Sequence, residues 1–407
     1  MLMRPNLDSL PASSRGALVV LAATLAMAAG FGGLGLITVF MGPMESDLGW
    51  SRSQTSLGYA LSTAGMAIGG VIWGRLSDRV NLRLPLAVAA CGMIGALFVM
   101  ATLRSLPVFY GASVVYGALG FSALYAPLLS TSGEWFPQQR GLVMGIVTAG
   151  GALGQGLLPF MAHLLIATFG WRWAFAGMAF TFLLVLGFAL PLLRWPRGLR
   201  APRSGPDHGP ERAGPELAAI GVLGLAAFLC CMCMGIPVVH MASFIGMVCA
   251  SPRLGVDSLV VAMTCGAVGR VCFGSIADRI GPLRAYGLAS LTQTACILLF
   301  PALADSLSLL ALSAVFGFGF GGDMTCFSLC VRRAVPAHRF GAAMGAVMMM
   351  AWAGMAAGGY LGGLLFEISQ SYTASFLLAG AAGILNLSVL AAAIAASRHR
   401  HSAFSFA

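Results

Sequence analysis

The chain has 407 residues, of which 58% are hydrophobic and only 9% are charged. Soluble domains carry about 25% charged residues, so this composition excludes an ordinary soluble protein and indicates an integral membrane protein. The formal net charge is +10, and every basic side chain apart from histidine is an arginine, since the sequence contains no lysine.

Twelve apolar runs of about 20 residues follow one another along the chain, and each is long enough to span the hydrocarbon core as a helix. The 54 glycines suit close helix packing in lipid. We therefore predict an all-α integral membrane fold with twelve transmembrane helices. The first run continues to about Met41, which is too long for the apolar core of a signal peptide, so we expect an uncleaved helix. The predicted spans are 17–41, 54–73, 84–102, 107–131, 141–167, 173–193, 217–243, 256–274, 285–304, 307–331, 341–365 and 373–396.

The distribution of arginine predicts the orientation of these spans. With the N-terminus in the cytoplasm, 18 arginines fall in cytoplasmic segments, 4 fall outside and one, Arg270, falls within a span. This asymmetry is the positive-inside pattern. We therefore expect a multi-pass protein of a bacterial-type cytoplasmic (inner) membrane, with both termini in the cytoplasm. The basic charge then requires no nucleic-acid partner.

Segment 194–216 is the only long polar stretch and is rich in Pro, Gly and Arg. We expect it to be a cytoplasmic linker between an N-terminal six-helix half, residues 1–193, and a C-terminal half, residues 217–407.

The two halves repeat at an offset of about 200 residues. The run GRLSDR, residues 74–79, recurs as GSIADR, residues 274–279, and Pro137 and Arg140 recur as Pro336 and Arg339. Both copies have the same predicted orientation, which makes this a parallel repeat about an axis along the membrane normal. Such symmetry is typical of transporters that rock two halves around a central site.

The loops after the second and eighth predicted helices resemble the signature loop of the major facilitator superfamily. Shorter motifs are similar to bacterial members of its monocarboxylate transporter and oxalate/formate antiporter branch; they are Gly49-Trp-Ser-Arg-Ser-Gln54, Trp135-Phe136 with Arg140-Gly141, Gly170-Trp-Arg172 and Gly269-Arg270. The resemblance covers roughly residues 15–396. It implies a twelve-helix secondary transporter that works by alternating access, with the signature loops locking the outward-facing state.

Charged and small residues of these loops are the predicted cytoplasmic gate. Asp78 and Asp278 can accept hydrogen bonds from helix N-termini and from arginines such as Arg140 and Arg339. The first loop has Asn81 where the second has glycine, and asparagine tolerates a left-handed backbone better than most residues. The predicted gate residues are Gly74, Asp78, Arg79, Arg140, Gly274, Asp278, Arg279, Gly281 and Arg339.

Arg270 lies within the eighth predicted span, roughly 12 Å from Asp278 at a helical rise of about 1.5 Å per residue. An arginine inside a span usually faces a cavity or a partner, and its planar guanidinium matches a carboxylate at two points. We predict that Arg270 binds a substrate carboxylate, as the resemblance also implies for this place in the eighth helix. A structural ion pair, or snorkelling to the inner surface, is the alternative.

Asp323 is the only carboxylate that the predicted spans place deep in the membrane. It precedes Arg332 by nine residues, about 13.5 Å at helical rise, so its depth matches that of Arg270. Two interpretations stay open: Asp323 carries a proton and senses the state of Arg270, or the two form a permanent ion pair. His240, near the outer end of the seventh span, is either a second proton site or a helix anchor.

Tyr59, Tyr125 and Gln155 lie within spans and are candidate substrate ligands, although packing explains each equally well. The resembled families use a lysine in the first or the eleventh helix, where this chain has Thr38 and the run Met348–Trp352. With one buried cation, the site is expected to take a single carboxylate. The predicted function is proton-coupled uptake of a small organic monocarboxylate, by a protein that works as a monomer.

Two other transport functions are the alternatives. The first is efflux of drugs or metabolites by proton antiport, although the fifth helix lacks the Gly-Pro pair typical of such relatives. The second is copper transport through the Cys/Met-rich run Cys230–Met234, because soft sulfur ligands favour Cu(I); the ten cysteines otherwise suit small buried hydrophobes. An enzyme is not expected, since no catalytic set, metal-ligand spacing or phosphate loop is present. No cofactor or metal is implied.

Overall fold

The computed structural model describes residues 12–50, 52–77, 82–194 and 210–403. Within them, twelve helical spans are long and apolar enough to cross a membrane, so the predicted all-α, twelve-span fold is confirmed. Most helices run several residues beyond the predicted spans, because polar residues at their ends continue the helix. The first-half helices are α1 Ala12–Leu48, α2 Arg52–Ser77, α3 Arg83–Thr102, α4 Leu106–Val115, α5 Ser122–Trp135, α6 Arg140–Phe169 and α7 Trp171–Leu192. The second-half helices are α8 Pro210–Val248, α9 Pro252–Ile280, α10 Pro282–Leu299, α11 Ser306–Ala334, α12 Phe340–Ser369 and α13 Thr373–Ala403.

Local sequence explains several helix boundaries. A π-helical turn over Tyr116–Phe121 joins α4 and α5 into one span. Gly281 ends α9 with φ of +90°, a backbone angle that favours glycine, and Pro282 then begins α10. The Asp305 side chain caps α11 by accepting a hydrogen bond from the Ser308 amide at 2.9 Å.

The helices of the two halves pack in the same pattern. In the first half α1 lies on α6, α3 on α7, and α2 on the α4–α5 span. In the second half α8 lies on α12, α10 on α13, and α9 on α11. This agrees with the expected parallel repeat. We call the side that carries Ala12, Leu192 and the start of α8 the terminal face, and the other side the opposite face.

The offset of 200 residues extends to individual helix contacts. At each of these contacts a glycine lies so close to a neighbouring helix that an added Cβ atom would overlap a backbone carbonyl oxygen. The pairs are Gly117 with Ser62, Gly154 with Ala28, Gly317 with Ala262, and Gly354 with Phe228. Because each second-half pair is a first-half pair shifted by 200 in both members, the two bundles are built on equivalent backbone crossings.

Candidate functional site

The two halves contact each other closely toward the terminal face, where α6 crosses α9 and α2 crosses α12. A Cβ atom at Gly274 would overlap the carbonyl oxygen of Gly141, and one at Gly74 would overlap that of Gly341. The two predicted gate glycines therefore lie at contacts between the halves, and the terminal face is closed in this structure.

Asp278 supplies the N-terminal cap of a helix in the other half. Its two carboxylate oxygens accept hydrogen bonds from the backbone amides of Gly141 and Leu142, at 2.7 and 2.9 Å. The residue before α6, Gln139, makes no side-chain cap of its own. A carboxylate at a helix N-terminus satisfies free amides and interacts favourably with the helix dipole. The structure thus joins α9 to α6 through Asp278.

The arginines near this contact have partners other than Asp278. Glu134 at the end of α5 accepts hydrogen bonds from Arg140, at 3.3 Å, and from Arg332 of the other half. Arg339 pairs with Glu216 at 2.9 Å. The expectation that Asp278 accepts a hydrogen bond from Arg140 is wrong. Arg140 instead pairs with Glu134, which belongs to the same half and precedes it by only six residues.

The remaining predicted gate residues are placed as follows. Arg279 is exposed on the terminal face, and Gly281 forms the turn between α9 and α10. Asp78, Arg79 and Asn81 lie outside the described residues.

Arg270 lies at the interface between the halves, at the contact of α9 with α6. Only 1% of its surface is exposed, and it lies about 15 Å along the helix from Ile280. Its Nη1 donates a hydrogen bond to the backbone oxygen of Thr148 in the other half, at 2.5 Å, while its Nε has no hydrogen-bond partner among the described residues. The guanidinium carbon lies 5.7 and 5.9 Å from the ring centres of Phe31 and Phe320. A buried arginine with an unpaired N–H donor can bind an anion once the rings of Phe31 and Phe320 move aside.

Polar groups from both halves meet at the same depth as Arg270. Tyr125 shares a hydrogen bond of 3.3 Å with Ser328, and Thr148 shares one of 3.0 Å with Thr325. Tyr125 lies about 15 Å along its helix from Trp135, which matches the depth of Arg270. Both also lie near Phe31, whose ring centre is 5.7 Å from the Arg270 guanidinium carbon and 5.9 Å from the Tyr125 ring centre, so Tyr125 and Arg270 are close to each other.

Asp323 faces away from this interface, and its equal depth with Arg270 does not bring the two together. At about 100° per residue, Asp323 lies about 200° around α11 from Thr325 and about 140° from Ser328, the two residues that contact the other half. Within the described ranges, Asp323 has no hydrogen-bond partner other than the Cys230 thiol, and no ion pair joins it to Arg270. Of the two interpretations left open, the permanent Arg270–Asp323 ion pair is wrong, because packing rotates the carboxyl toward the inside of the second half.

The surroundings of Asp323 are a buried polar cluster between α8, α10 and α11. Gly319, one turn before Asp323, packs on α10 beside Gln293, and Asp323 faces the same helix one turn further along. Its polar neighbours are the Cys230 thiol and the Tyr286 hydroxyl, and Gln293 donates to Cys230 at 3.8 Å. The Tyr286 hydroxyl also interacts with Cys230, and in the described part of the chain the Gln293 Oε1 atom has no hydrogen-bond partner. The Cys230 thiol is thus shared by three polar side chains, and no cation of the described residues lies among them.

Three other predicted residues lie apart from Arg270. Tyr59 lies about 27 Å along α2 from Ser77 and is half-buried, and Gln155 is half-buried about 10 Å along α6 beyond Thr148. His240 bonds the backbone oxygen of Gly359 at 2.8 Å. This bond joins α8 to α12 within one half and supports the helix-anchor interpretation of His240.

The thiols of the Cys230–Met234 run have different sets of neighbours. Cys230 interacts with Asp323 and Gln293, whereas Cys231 interacts with Tyr125 as well as with Asp323. Across the part of the chain that the structure describes, no three His, Cys, Asp or Glu side chains are grouped to hold a metal ion. Nothing in this geometry favours the copper alternative.

Sequence reasoning missed Phe31, Thr148, Phe320 and Glu134. Phe31 and Phe320 are aromatic residues in apolar spans and carry no local signal. Thr148 binds Arg270 through its backbone oxygen, which every residue has. Glu134 carried a signal, since it is a charged residue at the end of a span, three positions before the repeated Pro137.

Sequence comparison places the chain in a known family. The model of the Major Facilitator Superfamily matches residues 21–286 and 223–407. Monocarboxylate transporter 13 of Rattus norvegicus is 27% identical over 383 residues, which cover 91% of this chain and 87% of that protein. MFS-type transporter 1 of an Ophiocordyceps species is 25% identical over 297 residues, 72% of this chain and 65% of that protein. Agnestins efflux protein AgnL12 of Paecilomyces divaricatus is 23% identical over 278 residues, 68% and 63%. The last two alignments span less than two thirds of the relative.

Solved structures share the fold. The transporter FucP in its outward conformation superposes with a TM-score of 0.73 at 11% identity, covering 92% of this chain and 97% of that one. The proton:xylose symporter XylE bound to 6-bromo-6-deoxy-D-glucose gives a TM-score of 0.71 at 16% identity, covering 93% and 95%. At these identities the likeness is one of fold alone. Together with the family match over most of the chain, it shows that this protein is a transporter of the Major Facilitator Superfamily.

Proposed function

We propose that the protein carries a small organic monocarboxylate across the membrane together with a proton, by alternating access. The observation that carries the proposal is Arg270: a nearly unexposed guanidinium at the interface of the halves, with Nε unpaired and no carboxylate of the described residues beside it. An anionic substrate would supply the missing partner. The relative named monocarboxylate transporter 13, which aligns over 91% of this chain, adds support.

The proposed proton carrier is Asp323. No cation lies beside Asp323 among the described residues, and a buried ionised carboxylate without one is far more costly than the neutral acid, so Asp323 holds a proton while the terminal face is closed. The link to the substrate is α11 itself, because Thr325 and Ser328 contact the other half while Asp323 faces α8 and α10. Movement of α11 when the halves separate would change the surroundings of Asp323 and release the proton.

The proposed unit of movement is a six-helix half, residues 1–193 against 217–407, joined by a linker at 194–216. The arginine distribution supports a cytoplasmic terminal face, which makes the closed face the cytoplasmic gate. The gate then comprises the Asp278 cap on α6, the Glu134–Arg332 ion pair and the glycine contacts. The proposed working unit is a single chain, because a rocking motion of its two halves requires no second copy.

The test is uptake of labelled monocarboxylates into proteoliposomes under an imposed pH gradient. Losing a charge-assisted hydrogen bond costs about 1.5–3 kcal/mol, so Arg270→Ala should raise KM about ten- to a hundred-fold or abolish uptake. The matched control is Arg253→Ala, because that side chain is 91% exposed. Uptake of carboxylates that is equal in Arg270→Ala and wild type sinks the proposal.

The proton step has its own variant. Asp323→Asn should remove the response of uptake to the pH gradient while leaving counterflow of substrate, and Asp257→Asn, an exposed carboxylate on α9, is the control. A full pH response in Asp323→Asn assigns the proton to another group.

A second candidate function is efflux by proton antiport. The relative named Agnestins efflux protein AgnL12 favours it. The same proteoliposomes distinguish the two functions. A symporter moves substrate in the direction in which protons flow, whereas an antiporter moves it in the opposite direction.

A further inference from the structure

In the repeat, Arg270 of the second half corresponds to Gly70 of the first half, which has no side chain. Gly145 lies against the backbone of Arg270 where α6 crosses α9, and Gly345 lies against the backbone of Gly70 where α12 crosses α2. Gly145 and Gly345 are 200 residues apart, and so are Arg270 and Gly70, so the repeat exchanges one contact for the other. The two crossings are therefore equivalent, and one carries a guanidinium while the other carries none.

A recess that is partly open to its surroundings lies beside Gly70. We call it the aromatic recess; its lining includes Gly70, Phe121, Ser122, Tyr125, Met348 and Trp352.

The polar side chains of the aromatic recess already have partners. Ser122 donates to the backbone oxygen of Gly117 at 2.5 Å, and Tyr125 shares its hydroxyl with Ser328. The other lining residues are methionine, aromatic, alanine or glycine. A hydroxyl or charge entering the recess would lose its hydration without gaining a partner, whereas an apolar group would not.

Aromatic rings connect the aromatic recess to Arg270. The guanidinium carbon lies 5.7 Å from the ring centre of Phe31, which lies 4.7 Å from that of Phe121. Phe121 in turn lies 6.2 Å from Trp352. A molecule with a carboxylate at one end and an apolar group at the other would match this arrangement, since the charged end meets the guanidinium and the other end meets rings.

We propose that the aromatic recess is the specificity pocket of the transporter and that it binds the apolar group, an aromatic ring or a branched chain, of the transported monocarboxylate. This rests on the proposed function, in which Arg270 binds the carboxylate. The substrate class is thus narrowed to acids with a bulky apolar group, and short or hydroxylated acids are disfavoured.

Two variants change the aromatic recess in opposite directions. A Cβ atom at Gly70 would have only the Gly345 oxygen near it, at 3.9 Å, so a side chain can begin there and Gly70→Leu adds apolar bulk beside the recess. Trp352→Ala enlarges it. Ile72→Ala is the control, because Ile72 lies about 200° around α2 from Gly70 and is 57% exposed. Thermal unfolding in detergent checks that each variant is folded.

The experiment measures KM and kcat of proteoliposome uptake for phenylacetate, isocaproate, acetate and lactate. Wild type should show a KM at least tenfold lower for the two bulky acids, phenylacetate and isocaproate. Gly70→Leu should raise the KM for both bulky acids at least tenfold and leave the KM for acetate within twofold. Trp352→Ala should raise the KM for isocaproate and favour acids larger than phenylacetate.

The outcomes separate this inference from the function on which it rests. Arg270→Ala should impair uptake of all four acids alike, whatever the recess binds. If wild type transports the four acids with similar KM, or Gly70→Leu affects all four equally, the inference is overturned while the proposed function stands. If wild type transports no carboxylate, both are overturned.

Discussion

Replacing Asp278 by alanine removes the contact through which one half caps a helix of the other. In the structure its carboxylate accepts from the Gly141 and Leu142 amides at 2.7 and 2.9 Å. Losing a capping carboxylate costs about 0.5–2 kcal/mol. This energy stabilises only the state in which the terminal face is closed, because the contact breaks when the halves separate there. A loss of about 0.5–2 kcal/mol would shift the ratio of closed to open molecules about 2- to 30-fold toward open.

The measurement is the distance distribution between spin labels at Gln138 and Arg284, two exposed positions in opposite halves on the terminal face. The labels are placed in a protein whose native cysteines have been replaced and whose transport has been verified. Asp278→Ala should enlarge the long-distance population by the stated ratio. Asp305→Ala is the matched control, since Asp305 also caps a helix, α11, but lies on the opposite face within one half. The reasoning is refuted if Asp278→Ala leaves the distribution unchanged, or if Asp305→Ala shifts it equally.

Three further predictions concern a contact, a histidine and an ion pair. Gly274→Ala inserts a Cβ atom against the other half and should destabilise the closed terminal face by about 1–3 kcal/mol. The protein should still fold but transport more slowly. Gly221→Ala, where a Cβ atom meets open space, should leave the transport rate unchanged. His240→Gln should keep the pH dependence of uptake between about pH 5.5 and 7.5, because the amide can still donate to the α12 backbone; an altered pH profile would instead make the histidine a proton site. Hydrogen bonds from Arg172 and then Trp171 lower the pKa of Asp47 below 3.8. The stabilisation by this pair is therefore complete above 3.8 and lost only as the pH falls through the lower folded value, so Asp47→Asn should leave the pH dependence of thermal stability between pH 5 and 8 unchanged.

The sequence by itself determined the twelve spans, the repeat and the candidate anion site. Run length and composition are local properties, so each span could be predicted without knowledge of its neighbours. The offset of 200 residues proved more informative than motif matching alone, because it also relates individual glycine contacts such as Gly154 with Ala28 and Gly354 with Phe228. Arg270 stood out because a charge within an apolar span is rare.

Only the tertiary structure decided which way each buried group faces. Arg270 and Asp323 have nearly the same depth, and depth follows from counting residues. The rotation of α11 about its own axis does not, because it is decided by packing: Gly319 and Gly322 let α11 approach α10, which turns Asp323 toward Cys230 and away from the interface. The partners of Arg140 and the aromatic recess beside Gly70 likewise depend on side chains from several helices meeting at one point. The length of a span and the depth of a residue in it can be counted along the sequence, whereas the direction in which a side chain faces and the partner it meets are set by the packed bundle.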